Sequence, residues 1–232
     1  MDSQNEIQIG YWNIRGLGRP ILYIAEYVSA PHRYTFYEEG DGPEFSKEAW
    51  LDKKNSLGLD FPNLPYLIDG DFKLTESMAI MEYLWKKFKP ELAGVTVEEQ
   101  ATVTMLAGVA LKAKGDWATS CYTQSDVEYA INTHVAAFER LSKYLGDKKY
   151  LTGDSLVYVD FYIFEILDCA FAIGARPKFQ EDLPNLIAYH KRIKELPELS
   201  IFFENDKYKY QLFNMKSSLV NSTGVSDKFI CE

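Results

Sequence analysis

Hydrophobic positions along the chain fall into two regimes. Over the first ninety residues, short apolar runs alternate with helical spacings. IQIGYW (7–12) reads as a strand. Gly16, Gly18 and Pro20 then punctuate a loop, and Pro20 suits the first turn of a helix, where its missing N–H would be unpaired anyway. Ile21, Leu22, Ala25 and Val28 carry that helix to about residue 28. RYTFYE (33–38) is a second strand, and EEGDGPEFSKEAW a long loop that turns weakly helical. PYLID (65–69) and FKL (72–74) flank Gly70 as a hairpin. ESMAIMEYLWKKF (76–88) is a helix with Ile80, Tyr83, Leu84 and Phe88 on one face. The order β-α-β, loop, β-β-α predicts a small mixed α/β sheet covered by helices.

The second regime begins after KPELAGVT (89–96), which reads as a linker between a domain over 1–88 and another over 97–232. Val127, Ile131, His134, Phe138, Leu141 and Leu145 form an apolar seam that Gly146 ends as a C-cap. His134, on that seam, reads as a core or interface histidine rather than a ligand or base. Residues 97–122, 157–173 and 184–195 supply three more helices, so the second domain is an all-α helical bundle. The tail after Phe203 is polar and aperiodic, a candidate for mobility.

Composition narrows the function. A net charge of −9 argues against sequence-independent nucleic-acid binding. The most apolar segment, VDFYIFEILDCAFAIGA, carries Asp160, Glu165 and Asp168, so it predicts a buried helix rather than a membrane span. The start, MDSQNEIQIGYW, has no signal-peptide pattern. Cys121, Cys169 and Cys231 are widely spaced without a CxxC pair, which points to the reducing cytoplasm and no disulfide framework. His32, His134 and His190 are scattered, and no metal site is expected.

Candidate chemistry gathers in GLDFPNLPYLIDGDFKLTES (58–77), where Pro62 and Pro65 precede a strand. A proline at a strand start deletes one ladder donor and is tolerated only there or at an edge. With a cis Leu64–Pro65 bond, the N–H and C=O of Leu64 would be free to pair with an extended peptide. Ser77 and the open N–H groups of the next helix would form a carboxylate site nearby, and Glu76 an acceptor for an ammonium group. The plain alternative is a turn followed by an ordinary helix cap.

The blocks IGYWNIRGLGRP, AWLDKKNSLGLDFPNLPYLIDG and TES at a helix start resemble the mu class of cytosolic glutathione transferases. The likeness is close over 7–88 and weaker beyond, where CY (121–122), GDSLVYVDF (153–161) and DLPNL (182–186) keep the register. It implies a thioredoxin-like N-terminal domain, a helical C-terminal domain and a homodimer. It also implies catalysis by the thiolate of glutathione, a co-substrate, on hydrophobic electrophiles, with no cofactor.

That chemistry needs an ionised thiol. Lowering a thiol pKa of about 8.5 by about two units requires roughly 2.7 kcal/mol of preferential thiolate stabilisation. A hydrogen bond to an ionised acceptor can supply most of it, provided the donor keeps its own proton, as a tyrosine does. Tyr11, in the family's Tyr-Trp position, is the implied catalytic donor. The resemblance further implies that Trp12 and Leu17 line the glutathione site. Lys47, Trp50 and Lys54 would meet the glycyl carboxylate, Asn63, Leu64 and Pro65 the peptide, and Glu76 and Ser77 the γ-glutamyl end. Tyr122 matches a tyrosine that donates to the electrophile, the alternative being a core tyrosine on a helix. Phe61 matches the aromatic knob of the dimer interface.

Three departures stand out. Lys47 replaces a common arginine, keeping charge but not fork geometry. Glu76 stands where glutamine is usual and Lys112 where a partner-chain aspartate is usual, which would move the negative charge facing the glutathione ammonium into the same chain. Val157 replaces a helix-capping serine or threonine, and valine cannot cap. Rival readings are a non-catalytic binding protein and a glutathione-using isomerase. A thiol-disulfide oxidoreductase lacks support because no cysteine occurs in the first ninety residues.

Overall fold

The computed structural model describes residues 6–90, 96–123 and 126–222, without the side chains of 133, 134 and 136. The seam position of the His134 side chain, most of the 89–96 linker and Cys231 lie outside the described residues. Four strands make one sheet in the order β2-β1-β3-β4: β1 (Ile7–Trp12), β2 (His32–Tyr37), β3 (Tyr66–Asp69) and β4 (Phe72–Thr75). β1 runs parallel to β2 and antiparallel to β3, which is antiparallel to β4. A parallel pair needs a crossover, and α1 (Arg19–Tyr27) provides it. All four strand bounds agree with the sequence expectation to within one residue.

Ile21, Leu22 and Ile24 of α1 pack with Ile80 and Leu84 of α3 (Ser77–Phe88) against Ile7, Ile9 and Leu67 of the sheet. α2 (Glu48–Lys54), the weakly helical end of the long loop, buries Trp50 in a separate cluster with Tyr11, Tyr37 and Tyr66. The second half is helical as expected. α4 (Val97–Thr123), α5 (Val127–Leu145), α6 (Tyr158–Ala172) and α8 (Pro184–Lys194) correspond to the four periodic segments. The short helices α7 (Arg176–Asp182), α9 (Ser200–Glu204) and α10 (Asp206–Lys209) have no sequence counterpart, because four to seven residues show too little of a period. No helix among the described residues is long and apolar enough to cross a membrane.

α6 is the pivot between the two halves. It is buried on nearly every side, and Phe161, Phe164 and Leu167 are fully buried. Two of its acids, Glu165 and Asp168, are sockets for the N-terminal domain. Arg15, in the loop after β1, donates to both oxygens of Glu165 (2.9 and 2.8 Å) and to Asp168 (2.6 Å). Tyr23 donates to Glu165 at 2.9 Å, and His190 meets Asp168 at 2.8 Å. Burial alone would raise both carboxyl pKa values, but the Arg15 guanidinium outweighs it and holds both below the ordinary range.

The tail corrects the expectation of mobility over its described part. Arg15 N–H donates to Leu212 C=O (2.7 Å) and Gly16 N–H to Phe213 C=O (3.1 Å). Leu219 and Val220 N–H both donate to the Cys121 carbonyl, at 3.0 and 3.1 Å. Phe213 is fully buried against Trp117. The segment has no period because it is held by individual backbone bonds and one ring, not by a repeating face.

Candidate active site

Tyr11 continues the strand register of Ile7 and Ile9 to the end of β1, where the loop through Gly16 and Gly18 turns against its ring. Both glycines are required there. A Cβ on Gly18 would lie 2.6 Å from the ring, and one on Gly16, at φ +41°, 2.6 Å from the hydroxyl. The close loop brings Leu17 N–H to the Tyr11 hydroxyl, donating to it at 3.0 Å. Burial pushes the Tyr11 pKa up to about 12, and the Leu17 N–H offsets part of the rise. At neutral pH the residue is therefore a phenol with one lone pair occupied and its own proton available to donate.

Tyr122, near the C-terminal end of α4, repeats this arrangement. Its hydroxyl accepts from Met215 N–H at 2.8 Å, and burial raises its pKa above the ordinary tyrosine value. It is 36% exposed, so it is a cleft residue and not a core one. Both tyrosines line one cleft of about 440 Å³ between the two domains, together with Trp12, Leu17, Leu111 and Ala118. The walls are mostly apolar, which suits a hydrophobic partner for a nucleophile held at Tyr11.

The second cluster of sequence candidates meets at the other side of the sheet end. The Leu64–Pro65 bond is cis, and the ladder begins one residue later, at Tyr66. Tyr66 pairs with Thr75 across the hairpin, so the Leu64–Pro65 corner and the Glu76–Ser77 start of α3 both adjoin the same end of the ladder. Leu64 and Ser77 are buried while Asn63 and Glu76 are exposed. No side chain caps the start of α3, so its first N–H groups stay open to an anion.

Lys47, Trp50 and Lys54 follow a three-four spacing along α2 and so share a stripe. Trp50 anchors it, packed edge-on to Tyr37 (5.3 Å) and stacked on Tyr66 (6.1 Å). Tyr66 in turn bonds to Gln8 (2.9 Å) and Tyr37 (3.0 Å). Lys47 is exposed and Lys54 half-buried. Phe61 lies away from the cleft, 79% exposed on the loop before β3.

Several cleft residues escaped sequence reasoning. Lys114 and Tyr162 both sit at buried helical positions, and the sequence singled out neither. Asn214 and Met215 come from the aperiodic tail. Glu39, in the loop after β2, accepts from Lys216 N–H (2.6 Å) and Ser217 Oγ (3.2 Å), clipping the tail over the cleft. No local signal marks these positions, since each is defined by a contact distant in sequence.

Comparison with known proteins gives the same picture. Residues 7–86 match the model for the glutathione S-transferase N-terminal domain and residues 114–206 that for the C-terminal domain. The glutathione S-transferase class-mu 26 kDa isozyme 51 of Fasciola hepatica is 35% identical over 87% of this chain and 89% of its own. A glutathione S-transferase of Mesocricetus auratus is also 35% identical, covering 93% of this chain and 99% of its own. The crystal structure of the glutathione S-transferase Blo t 8 superposes with a TM-score of 0.72 at 28% identity, over 91% of this chain and 98% of that one. With this identity over most of its length and the same two-domain fold, the chain belongs to the glutathione S-transferase family and is similar to its mu-class members.

Proposed function

We propose that this protein is a glutathione transferase in which Tyr11 donates a hydrogen bond to the sulfur of bound glutathione and holds it as thiolate. The observation that carries the reading is the Tyr11 hydroxyl itself. It is buried at the cleft wall, accepts from Leu17 N–H and keeps its proton up to about pH 12. A donor of that kind stabilises an anion without surrendering its proton to it. The thiol proton leaves to solvent, and the sulfur lone pair forms a bond to the electrophilic carbon. In a substitution the leaving group departs with its electron pair. In an addition the electrons pass to the acceptor atom, which takes up a proton. Tyr122 is suited to donate to that developing charge, because its lone pair is likewise occupied, by Met215 N–H.

Glutathione would lie along the end of the sheet. Glu76, Ser77 and the open start of α3 would hold the γ-glutamyl end, and Asn63, Leu64 and Pro65 the cysteinyl peptide in the manner of an added strand. Lys47, Trp50 and Lys54 would meet the glycyl carboxylate, with Trp12 and Leu17 walling the sulfur. Glutathione acts as co-substrate, and the chemistry requires no further cofactor. A homodimer completes the reading, supported by the exposed Phe61 and by an apolar hollow of about 370 Å³ between α4 and α5, lined by Met105, Val109, Phe138 and Leu141. The free, buried thiols of Cys121 and Cys169 suit the cytoplasm.

The test is the ultraviolet absorbance of the thiolate in the glutathione complex, titrated against pH. The wild type is expected to show a thiol pKa about two units below the free value of about 8.5, with most of that shift lost in Tyr11→Phe. An unshifted thiol in the wild type would mean a glutathione-binding relative without the chemistry.

A further inference from the structure

The stretch of tail that covers the cleft is fastened to both domains. Arg15 and Gly16, in the loop against Tyr11, hold Leu212 and Phe213. At the other end the Cys121 carbonyl, next to Tyr122 in α4, accepts from Leu219 N–H, Val220 N–H and Ser218 Oγ. Between these anchors stands Glu39, in the loop after β2. Its carboxylate accepts from Lys216 N–H (2.6 Å), Ser217 N–H (3.4 Å) and Ser217 Oγ (3.2 Å). Glu39 is 5% exposed, and among the described residues no cation stands at ion-pair distance from it, the Lys216 ammonium being paired with Asp41. A buried carboxylate is costly unless its charge is answered, and here the tail answers it. Bonds to an ionised acceptor are the strong ones, so this is a firm clip.

What the clip holds is the support of Tyr122. Met215 directly precedes Lys216, and its N–H donates to the Tyr122 hydroxyl at 2.8 Å. Asn221 stiffens the turn, accepting from Asn214 N–H (3.0 Å) and donating to Met215 C=O (2.9 Å). A stiff turn passes a displacement at Lys216 on to Met215. Burial raises the Tyr122 pKa, Met215 N–H offsets part of the rise, and Tyr11 and Glu39 add to it. The carboxylate thus acts on the hydroxyl through its field as well as through the turn.

We propose that Glu39 is a positioning residue for the electrophile, holding the 214–217 turn against the N-terminal domain so that Tyr122 aims its proton at the oxygen of an α,β-unsaturated carbonyl. The inference rests on the reading of Tyr122 as donor to the electrophile. In such an addition the sulfur bonds to the β-carbon, the π pair moves to the carbonyl oxygen, and solvent supplies the proton that the enolate takes up. The charge arrives on one atom, so the placement of one donor matters. In substitution on a nitroaryl halide the charge spreads over the ring and nitro groups before the halide leaves with its bonding pair. Glu39 therefore favours the addition over the substitution.

Glu39→Leu removes the acceptors at similar size, while Glu39→Gln keeps one for the two N–H groups. With glutathione saturating, kcat for an α,β-unsaturated ketone, taken relative to kcat for a nitroaryl halide, should fall on the order of tenfold in Glu39→Leu and stay near wild type in Glu39→Gln. Tyr122→Phe should lower the same ratio, and adding Glu39→Leu to it should lower it no further. Ser217→Ala, which removes one bond and leaves the carboxylate in place, should move the ratio the same way by about twofold, and carries the test if Glu39→Leu does not fold. The thiol pKa of bound glutathione should be the same in every variant, because Tyr11 is untouched. A ratio that stays at its wild-type value in Glu39→Leu, or losses that multiply in the double variant, would overturn the inference and leave the transferase reading standing. An unshifted wild-type thiol would overturn both.

Discussion

Glu76 holds a backbone φ of +72°, which costs a non-glycine residue on the order of 1–3 kcal/mol. Two rigid elements impose it: Thr75 is paired to Tyr66 in the hairpin, while Ser77 already begins α3. The side chain itself is exposed. The identity of this residue was legible from the Glu-Ser pair at a helix start, but its strained conformation was not, because φ is set by what flanks it in space. If the carboxylate meets the glutathione ammonium within one chain, Glu76→Gln weakens binding by about 1–3 kcal/mol. Isothermal titration calorimetry would read this as a rise in Kd of roughly five- to 150-fold, and an unchanged Kd would sink the idea. Lys112 pairs with Asp116 one turn away, at 2.7 Å, so its own charge is locally answered.

Among the elements, α6 carries the clearest defect and the clearest remedy. Asp160, its third residue, accepts from Val157 N–H (2.8 Å), Leu151 N–H (3.0 Å) and Tyr189 Oη (2.8 Å). This is half of a capping box. The reciprocal half is missing because the Val157 side chain has no acceptor, and no other side chain caps the helix. Burial pushes the Asp160 carboxyl up to about 6, with its three hydrogen bonds offsetting part of the cost. Threonine has nearly the shape of valine and would add an oxygen for the N–H of Val159, the Asp160 N–H already donating to the Val157 carbonyl at 2.9 Å. Val157→Thr is therefore expected to stabilise the fold by about 1 kcal/mol in chemical denaturation. A loss of stability would show that the new hydroxyl is buried without a partner. This gap was visible in the sequence, since a cap is a local spacing rule.

At the scale of the whole molecule, the exposed Phe61 and the apolar hollow between α4 and α5 face outward from different domains. A large aromatic that is 79% exposed is an anchor in search of a pocket when a complementary hollow exists on the same surface. If Phe61 of one copy fills the hollow of another, Phe61→Ala costs about 2 kcal/mol of association, roughly thirtyfold in the dimer Kd. Sedimentation equilibrium of the two proteins measures this directly. A wild type that sediments as a monomer would remove the dimer from the reading.

The four strands, the longer helices and the candidacy of Glu76 and Ser77 were legible in the sequence alone, because periodicity, proline and glycine placement and capping act over a few residues, whereas Tyr11 stood out only through the resemblance of its motif to a known family. Only the tertiary structure decided what those elements bury against. An apolar stripe reports that a face is covered without saying by what, so nothing singled out Tyr162 on α6, although it lines the cleft. Arg15 meets Glu165 across 150 residues, and no spacing rule spans that distance. Nor does any periodicity mark the tail, whose Met215 N–H orients Tyr122 from 93 residues away. Local rules select elements, and the closing of the two domains on each other turns them into a site.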